Sequence, residues 1–127
     1  VGTDGYALSF DKSFMDSNPH PRSFGTFPRY LQTIREEKLM SIEEAIYKIT
    51  VLPAKVLGLK DRGLLREGNI ADITIFDPHT VQDMADYVDS LCKPKGIRDV
   101  FIDGKLALKD GEQLGAPLGR VILHENC

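Results

Sequence analysis

Gly68-Asn69-Ile70-Ala71-Asp72-Ile73-Thr74-Ile75-Phe76-Asp77-Pro78 is the stretch that decides the fold class. A Gly-Asn turn signal opens it and Asp-Pro closes it. Between them the β-branched and aromatic residues of 70–76 predict a strand. Downstream, residues 79–96 are mixed and polar, predicting a loop with a weak helix over 81–91. Residues 97–109 read as a hairpin. Val100-Phe101-Ile102 and Lys105-Leu106-Ala107-Leu108 flank Asp103-Gly104, a pair suited to the positive φ angles of a type I′ turn. Asp110-Gly111 is a second turn, and residues 120–124 could supply one last strand.

Upstream of Gly63 the period changes to helical. Thr26 is positioned to cap a first helix, with Pro28 in its first turn, where a missing N–H costs little. Phe27, Tyr30, Leu31 and Ile34 keep the helical spacing. Ser41-Ile42-Glu43-Glu44 is a capping box, followed by the apolar stripe Ile42, Ala45, Ile46 and Ile49. Pro53 ends that helix or opens the next, and Gly58 terminates a short helix over 54–57. Residues 1–25, rich in Gly, Ser, Asp, Asn and Pro, read as a long irregular loop. Helices followed by strands predict an α+β chain in two parts, with the boundary near residues 59–63.

Composition narrows the function classes. The 127 residues are 42% hydrophobic and 28% charged, which are globular proportions. A formal net charge of −3 gives no reason to expect nucleic acid or an anionic membrane as partner. The apolar runs fall far short of a membrane span. Two cysteines, Cys92 and Cys127, do not make a disulfide framework or a zinc knuckle, so a reduced, cytoplasmic setting is the expectation. Val1-Gly2-Thr3 reads like the end of a strand that begins elsewhere, and the chain is expected to be part of a longer protein.

Three segments are candidates for chemistry. Asp4 follows a strand end and precedes Gly5, which admits close approach of another group; the same pair is equally a plain turn. His20-Pro21-Arg22 holds a proton-transfer or ligand side chain and a guanidinium fork between restraining prolines; a solvated surface loop is the alternative. Gly25-Thr26-Phe27-Pro28-Arg29 is a helix start whose free N–H groups could also receive an anion. His79, His124 and both cysteines lack ligand spacing and read as structural.

Together these segments resemble the N-acyl-D-amino-acid deacylases (D-aminoacylases) of the metal-dependent amidohydrolase superfamily. Thr3-Asp4-Gly5, His20-Pro21-Arg22 and Gly25-Thr26-Phe27-Pro28-Arg29 carry the narrower likeness. Ser41-Ile42-Glu43-Glu44-Ala45, Thr50 and Leu52-Pro53-Ala54 are similar to the helices after the last barrel strand. The pattern Arg62-Gly63, Glu67-Gly68, Ala71-Asp72 and Phe76-Asp77, with the Asp103-Gly104 hairpin, occurs across the superfamily. One departure is a longer stretch, residues 6–18, between the first two motifs.

The resemblance implies a fold and a site. Residues 1–60 would be the end of a TIM-type (β/α) barrel: its last strand, a substrate loop and C-terminal helices. Residues 61–127 would be part of a small β-sandwich completed by N-terminal strands. Asp4 would contact a catalytic zinc, act as general base toward its water and pass the proton to the leaving amine. Arg22 would grip the α-carboxylate of an N-acyl-D-amino acid, with His20 shaping that loop. The remaining metal ligands would lie upstream, so the isolated chain is expected to hold no zinc and to be inactive. Exposed strand edges would invite self-association or pairing with the N-terminal portion of the protein. The competing expectations are another amidohydrolase acting on cyclic amides, dihydropyrimidinase-like or dihydroorotase-like, and a non-catalytic interaction module.

Overall fold

The computed structural model describes residues 1–10, 18–115 and 117–123. It forms two compact units, Val1–Met40 with Asp77–Gly96, and Ser41–Phe76 with Ile97–Cys127.

The first unit is built on one helix, α1 (Arg22–Glu37), lying against the 77–96 segment. The helix starts four residues before the expected Thr26 cap. Pro21 occupies the N-cap with φ −52°, and the Arg22 N–H donates to His20 Nδ1 at 3.1 Å, so an imidazole supplies the acceptor that a cap would provide. Thr26 instead turns its hydroxyl back onto the Arg22 carbonyl at 2.8 Å. Lys38, at φ 53°, ends the helix in the left-handed conformation and donates its N–H to the Ile34 carbonyl.

Gly25, Pro28, Leu31 and Ile34 form the buried stripe of α1. Val81 and Ala85 of the 77–96 segment are buried as well. Two arginines of α1 fasten that segment. Arg35 donates to the Val81 carbonyl at 2.7 Å and the Pro78 carbonyl at 3.2 Å. Arg29 pairs with Asp83 at 2.8 Å and donates to the Ala85 carbonyl at 3.1 Å. The Asp83 side chain is only 3% exposed, and the missing side chain of Gly25 makes room for its carboxylate.

The weak helix expected over 81–91 is not formed. Asp83 accepts the Ala85 N–H and Asp86 accepts those of Val88 and Asp89, so side chains take donors that a helical ladder would need. A backbone bridge between Gln82 and Lys95 closes the segment.

The second unit holds α2 (Ile42–Ile49), α3 (Val51–Val56) and a sheet. Ser41 caps α2 as its box predicts, accepting the Glu44 N–H at 3.1 Å. Pro53 sits in the first turn of α3 and so opens a helix. Ala45 and Ala54 are the buried residues of this pair.

The sheet contains β1 (Ile73–Phe76), β2 (Ile97–Ile102), β3 (Lys105–Lys109) and β4 (Glu112–Gln113), antiparallel and in that order. Asp103 and Gly104 both take positive φ in the hairpin between β2 and β3, as the Asp-Gly signal predicts, and Asp110 and Gly111 repeat the device between β3 and β4. The first strand is shorter than the expected 70–76, because the Ile70 and Asp72 N–H groups bond to Asp61 and to Ile70 instead. Asp72 pairs with Arg62 and accepts the Asp103 N–H at 2.8 Å. The superfamily pattern Arg-Gly, Ala-Asp and Asp-Gly is therefore a structural tie between three loops. Residues 120–123 are not a strand, and His124 of that expectation lies outside the described residues. The sheet side chains are half-buried or exposed and none is fully covered. No helix of the described residues is long and apolar enough to cross a membrane.

Candidate active site

The first unit brings two of the three sequence candidates together, Asp4 and the His20-Pro21-Arg22 motif. Gly5 crosses the start of α1 so closely that a Cβ there would stand 2.9 Å from Ser23 Cα and 3.0 Å from the Arg22 carbonyl. That crossing requires glycine and sets the residue before it beside the helix. Asp4, at φ 48°, reaches Arg22 with Oδ2 3.1 Å from Nη1. The Asp4 side chain is 86% exposed and that of Arg22 41%, so both remain open to a ligand.

His20 is held from two sides. Its Nδ1 accepts the Arg22 N–H, and its Nε2 lies 3.4 Å from the Tyr87 hydroxyl, with the two rings edge to face at 5.2 Å between centroids. Asn18 anchors the same loop. Its amide donates to the carbonyls of Tyr87 and Val88 at 3.3 Å each and accepts from the buried Ser90 hydroxyl at 2.6 Å. Sequence reading missed both Asn18 and Tyr87. Tyr87 sits in a polar stretch with no motif, and Asn18 falls within residues 1–25, which read only as an irregular loop.

The supporting turn is electrostatically tuned. The N–H groups of Asp89 and Val88 hold the Asp86 carboxyl below the ordinary carboxylate range, as the N–H of His79 does for Asp77. A lowered carboxyl favours the folded turn above its ordinary pKa and loses that contribution as pH falls through the lowered one. The amide proton shifts of Val88 and Asp89 are expected to titrate together with a midpoint below that of an unperturbed aspartate. A midpoint at or above it would remove Asp86 as the clamp.

The His79 N–H donates to Asp77 at 2.8 Å, a local turn contact. Cys92 is a free thiol pushed up by burial and by the Asp89 carboxylate, which suits a structural residue better than a ligand. His124 and Cys127 lie outside the described residues. The Gly25–Arg29 segment is inside α1, so its N–H groups are not those of a helix start.

For a metal, the sequence candidates offer one accessible carboxylate, Asp4. No three His, Cys, Asp or Glu among the described residues gather into a ligand set. Asp4 fits as one carboxylate ligand of zinc, and the other ligands would have to come from elsewhere.

Residues 6–108 match the model of the amidohydrolase family. The chain belongs to this family. Among curated amidohydrolase relatives, an N-acyl-D-aspartate deacylase of Alcaligenes xylosoxydans xylosoxydans is 44% identical over 117 residues, covering 91% of this chain and 22% of that protein. A crystal structure of D-aminoacylase superposes with TM-score 0.79 at 39% identity, over 82% of this chain and 22% of the other. An N-acyl-D-glutamate deacylase from Bordetella bronchiseptica, complexed with zinc and a phosphonate inhibitor that mimics the tetrahedral intermediate, gives TM-score 0.70 at 39% identity over 76% of this chain and 21% of its own. The chain thus spans about a fifth of these amidohydrolases, and its mixed helix and sheet structure has amidohydrolase-fold neighbours.

Proposed function

We propose that this chain is the C-terminal part of a zinc-dependent hydrolase that cleaves N-acyl-D-amino acids to a carboxylate and a D-amino acid. The observation that carries the reading is the exposed Asp4–Arg22 pair, 3.1 Å apart, within a chain 44% identical to a deacylase of that substrate class. In the longer protein, residues 1–60 are assigned to the end of a TIM-type barrel. Residues 61–127 belong to a small β-sandwich that N-terminal strands complete. The half-buried faces of the sheet and the outer edge of β1 are suited to receive those strands, or a second copy when they are absent.

Bound zinc supplies Lewis acidity that brings the pKa of water toward ~7. Asp4 takes the proton from the attacking water. The water oxygen bonds to the acyl carbon, the C–N bond breaks, and Asp4 returns the proton to the departing nitrogen. Arg22, satisfied by Asp4 without substrate, offers its fork to the α-carboxylate. His20 fixes the backbone from which Arg22 projects.

The test is hydrolysis by the full-length protein of N-acetyl-D-aspartate, N-acetyl-D-glutamate and an apolar N-acetyl-D-amino acid, beside dihydroorotate and dihydrouracil. Release of D-amino acid supports the reading; turnover of the cyclic amides alone moves the protein to the dihydroorotase-like or dihydropyrimidinase-like class. Arg22→Ala is expected to raise KM for the preferred N-acyl-D-amino acid by roughly 10- to 100-fold, since a hydrogen bond to a charged group contributes about 1.5–3 kcal/mol. Arg22→Lys recovers only part, having the charge without the fork. An unchanged KM in Arg22→Ala would remove Arg22 from the substrate site.

A further inference from the structure

We propose that Tyr87 is a positioning residue that sets the carboxylate-binding arginine through His20, with the 86–90 turn as its rigid mount. The inference rests on the reading of Arg22 given above.

The turn is self-contained. Asp86 accepts the N–H groups of Val88 and Asp89, both at 2.7 Å, and its own N–H donates to the Asp89 carbonyl at 3.1 Å. This aims the Tyr87 and Val88 carbonyls at Asn18, whose side-chain amide donates to both while its Oδ1 accepts from Ser90. Asn18 precedes Pro19, and Pro21 follows His20, so the backbone between anchor and helix has little freedom.

The chemistry of His20 makes this mount specific. Nδ1 accepts the Arg22 N–H, so in the neutral ring it carries no proton. The proton is then on Nε2, which donates toward the Tyr87 hydroxyl oxygen at 3.4 Å. The Arg22 N–H thereby sets the tautomer, and the Tyr87 hydroxyl, by accepting the Nε2 proton this leaves, holds the ring that caps α1 at the residue whose guanidinium pairs with Asp4. The Tyr87 ring adds an edge-to-face contact that fixes the imidazole plane.

The experiment uses the full-length protein with Tyr87→Phe and Tyr87→Ala. Kinetics are measured on an N-acyl-D-amino acid and on its carboxamide, which lacks the negative charge. The ring tautomer of His20 is read from its 15N shifts, assigned by loss in His20→Gln. Tyr87→Ala is expected to raise KM for the acid on the order of tenfold, as other orienting partners do, with kcat and the carboxamide KM nearly unchanged. Tyr87→Phe keeps the ring contact and falls between the two. The wild-type ring is expected to be the Nε2–H tautomer, and Tyr87→Ala to keep that tautomer while its Nε2 proton exchanges faster with water. An Nδ1–H ring in the wild type, or an Nε2 proton whose exchange ignores Tyr87, overturns the proposal even in a protein with no activity on N-acyl-D-amino acids. If Arg22→Ala fails to separate acid from carboxamide, the reading of Arg22 fails, and the exchange of the Nε2 proton then judges Tyr87 alone. Equal losses on both substrates mark Tyr87 as merely structural.

Discussion

Asp4→Asn in the full-length protein is expected to lower kcat on N-acyl-D-amino acids by roughly a hundred- to ten-thousand-fold, the range general acid–base groups contribute. Asparagine keeps the size and an oxygen near Arg22 but cannot collect a proton at neutral pH. Because the Asp4 side chain is largely exposed and its partner Arg22 is half-open, little folding stability depends on the charge. The melting temperature should therefore move little while turnover collapses. The check is steady-state kinetics beside a thermal melt and bound-zinc measurement. Loss of zinc together with activity would make Asp4 chiefly a ligand; retained zinc with lost kcat would make it chiefly the base. Activity within a few fold of the parent would remove Asp4 from the chemistry.

The second large effect is on folding. Gly96 has φ +77°, and a Cβ there would stand 2.6 Å from both N and Cα of Val81. Val81 is fully buried, and its N–H bonds to the Asp77 carbonyl at 2.9 Å, as the Asp77 N–H does to Gly96. Nothing flexible is available to move. Gly96→Ala combines left-handed strain of about 1–2 kcal/mol with overpacking against backbone of about 1–3 kcal/mol. A loss of about 3 kcal/mol is expected, a large share of a typical domain's stability. Denaturant melts of the full-length protein measure it, and amide exchange should rise first at Gln82 and Lys95, whose mutual bonds at 3.2 and 2.9 Å flank the site. A variant as stable as the parent would mean that the 77–81 turn can shift. Because that turn belongs to the unit carrying the 86–90 mount, Gly96→Ala should weaken substrate binding as well.

Local rules and the longer motifs were readable from the chain itself. Ser41 caps α2, Asp103-Gly104 and Asp110-Gly111 make hairpins, and Asp4, His20 and Arg22 stood out as candidates. Caps, turns and helical stripes depend on neighbours a few residues away, so their causes lie within a short window of sequence. The expected helix over 81–91 does not form because side-chain carboxylates compete for its backbone donors, and residues 120–123 are not a strand.

What only the tertiary structure decided is the wiring between distant residues. Asn18 meets the 87–90 turn about seventy positions away, Tyr87 meets His20, and α1 begins at Arg22 because an imidazole, rather than Thr26, stands at its first N–H. Gly5 against Ser23 and Gly96 against Val81 are likewise contacts between segments remote in sequence. Such contacts follow from how whole segments pack, and packing is set by shape and by the satisfaction of buried polar groups across the entire unit. The sequence alone therefore marked Asp4, His20 and Arg22 as candidates, and the fold decided which of them touch and what holds them there.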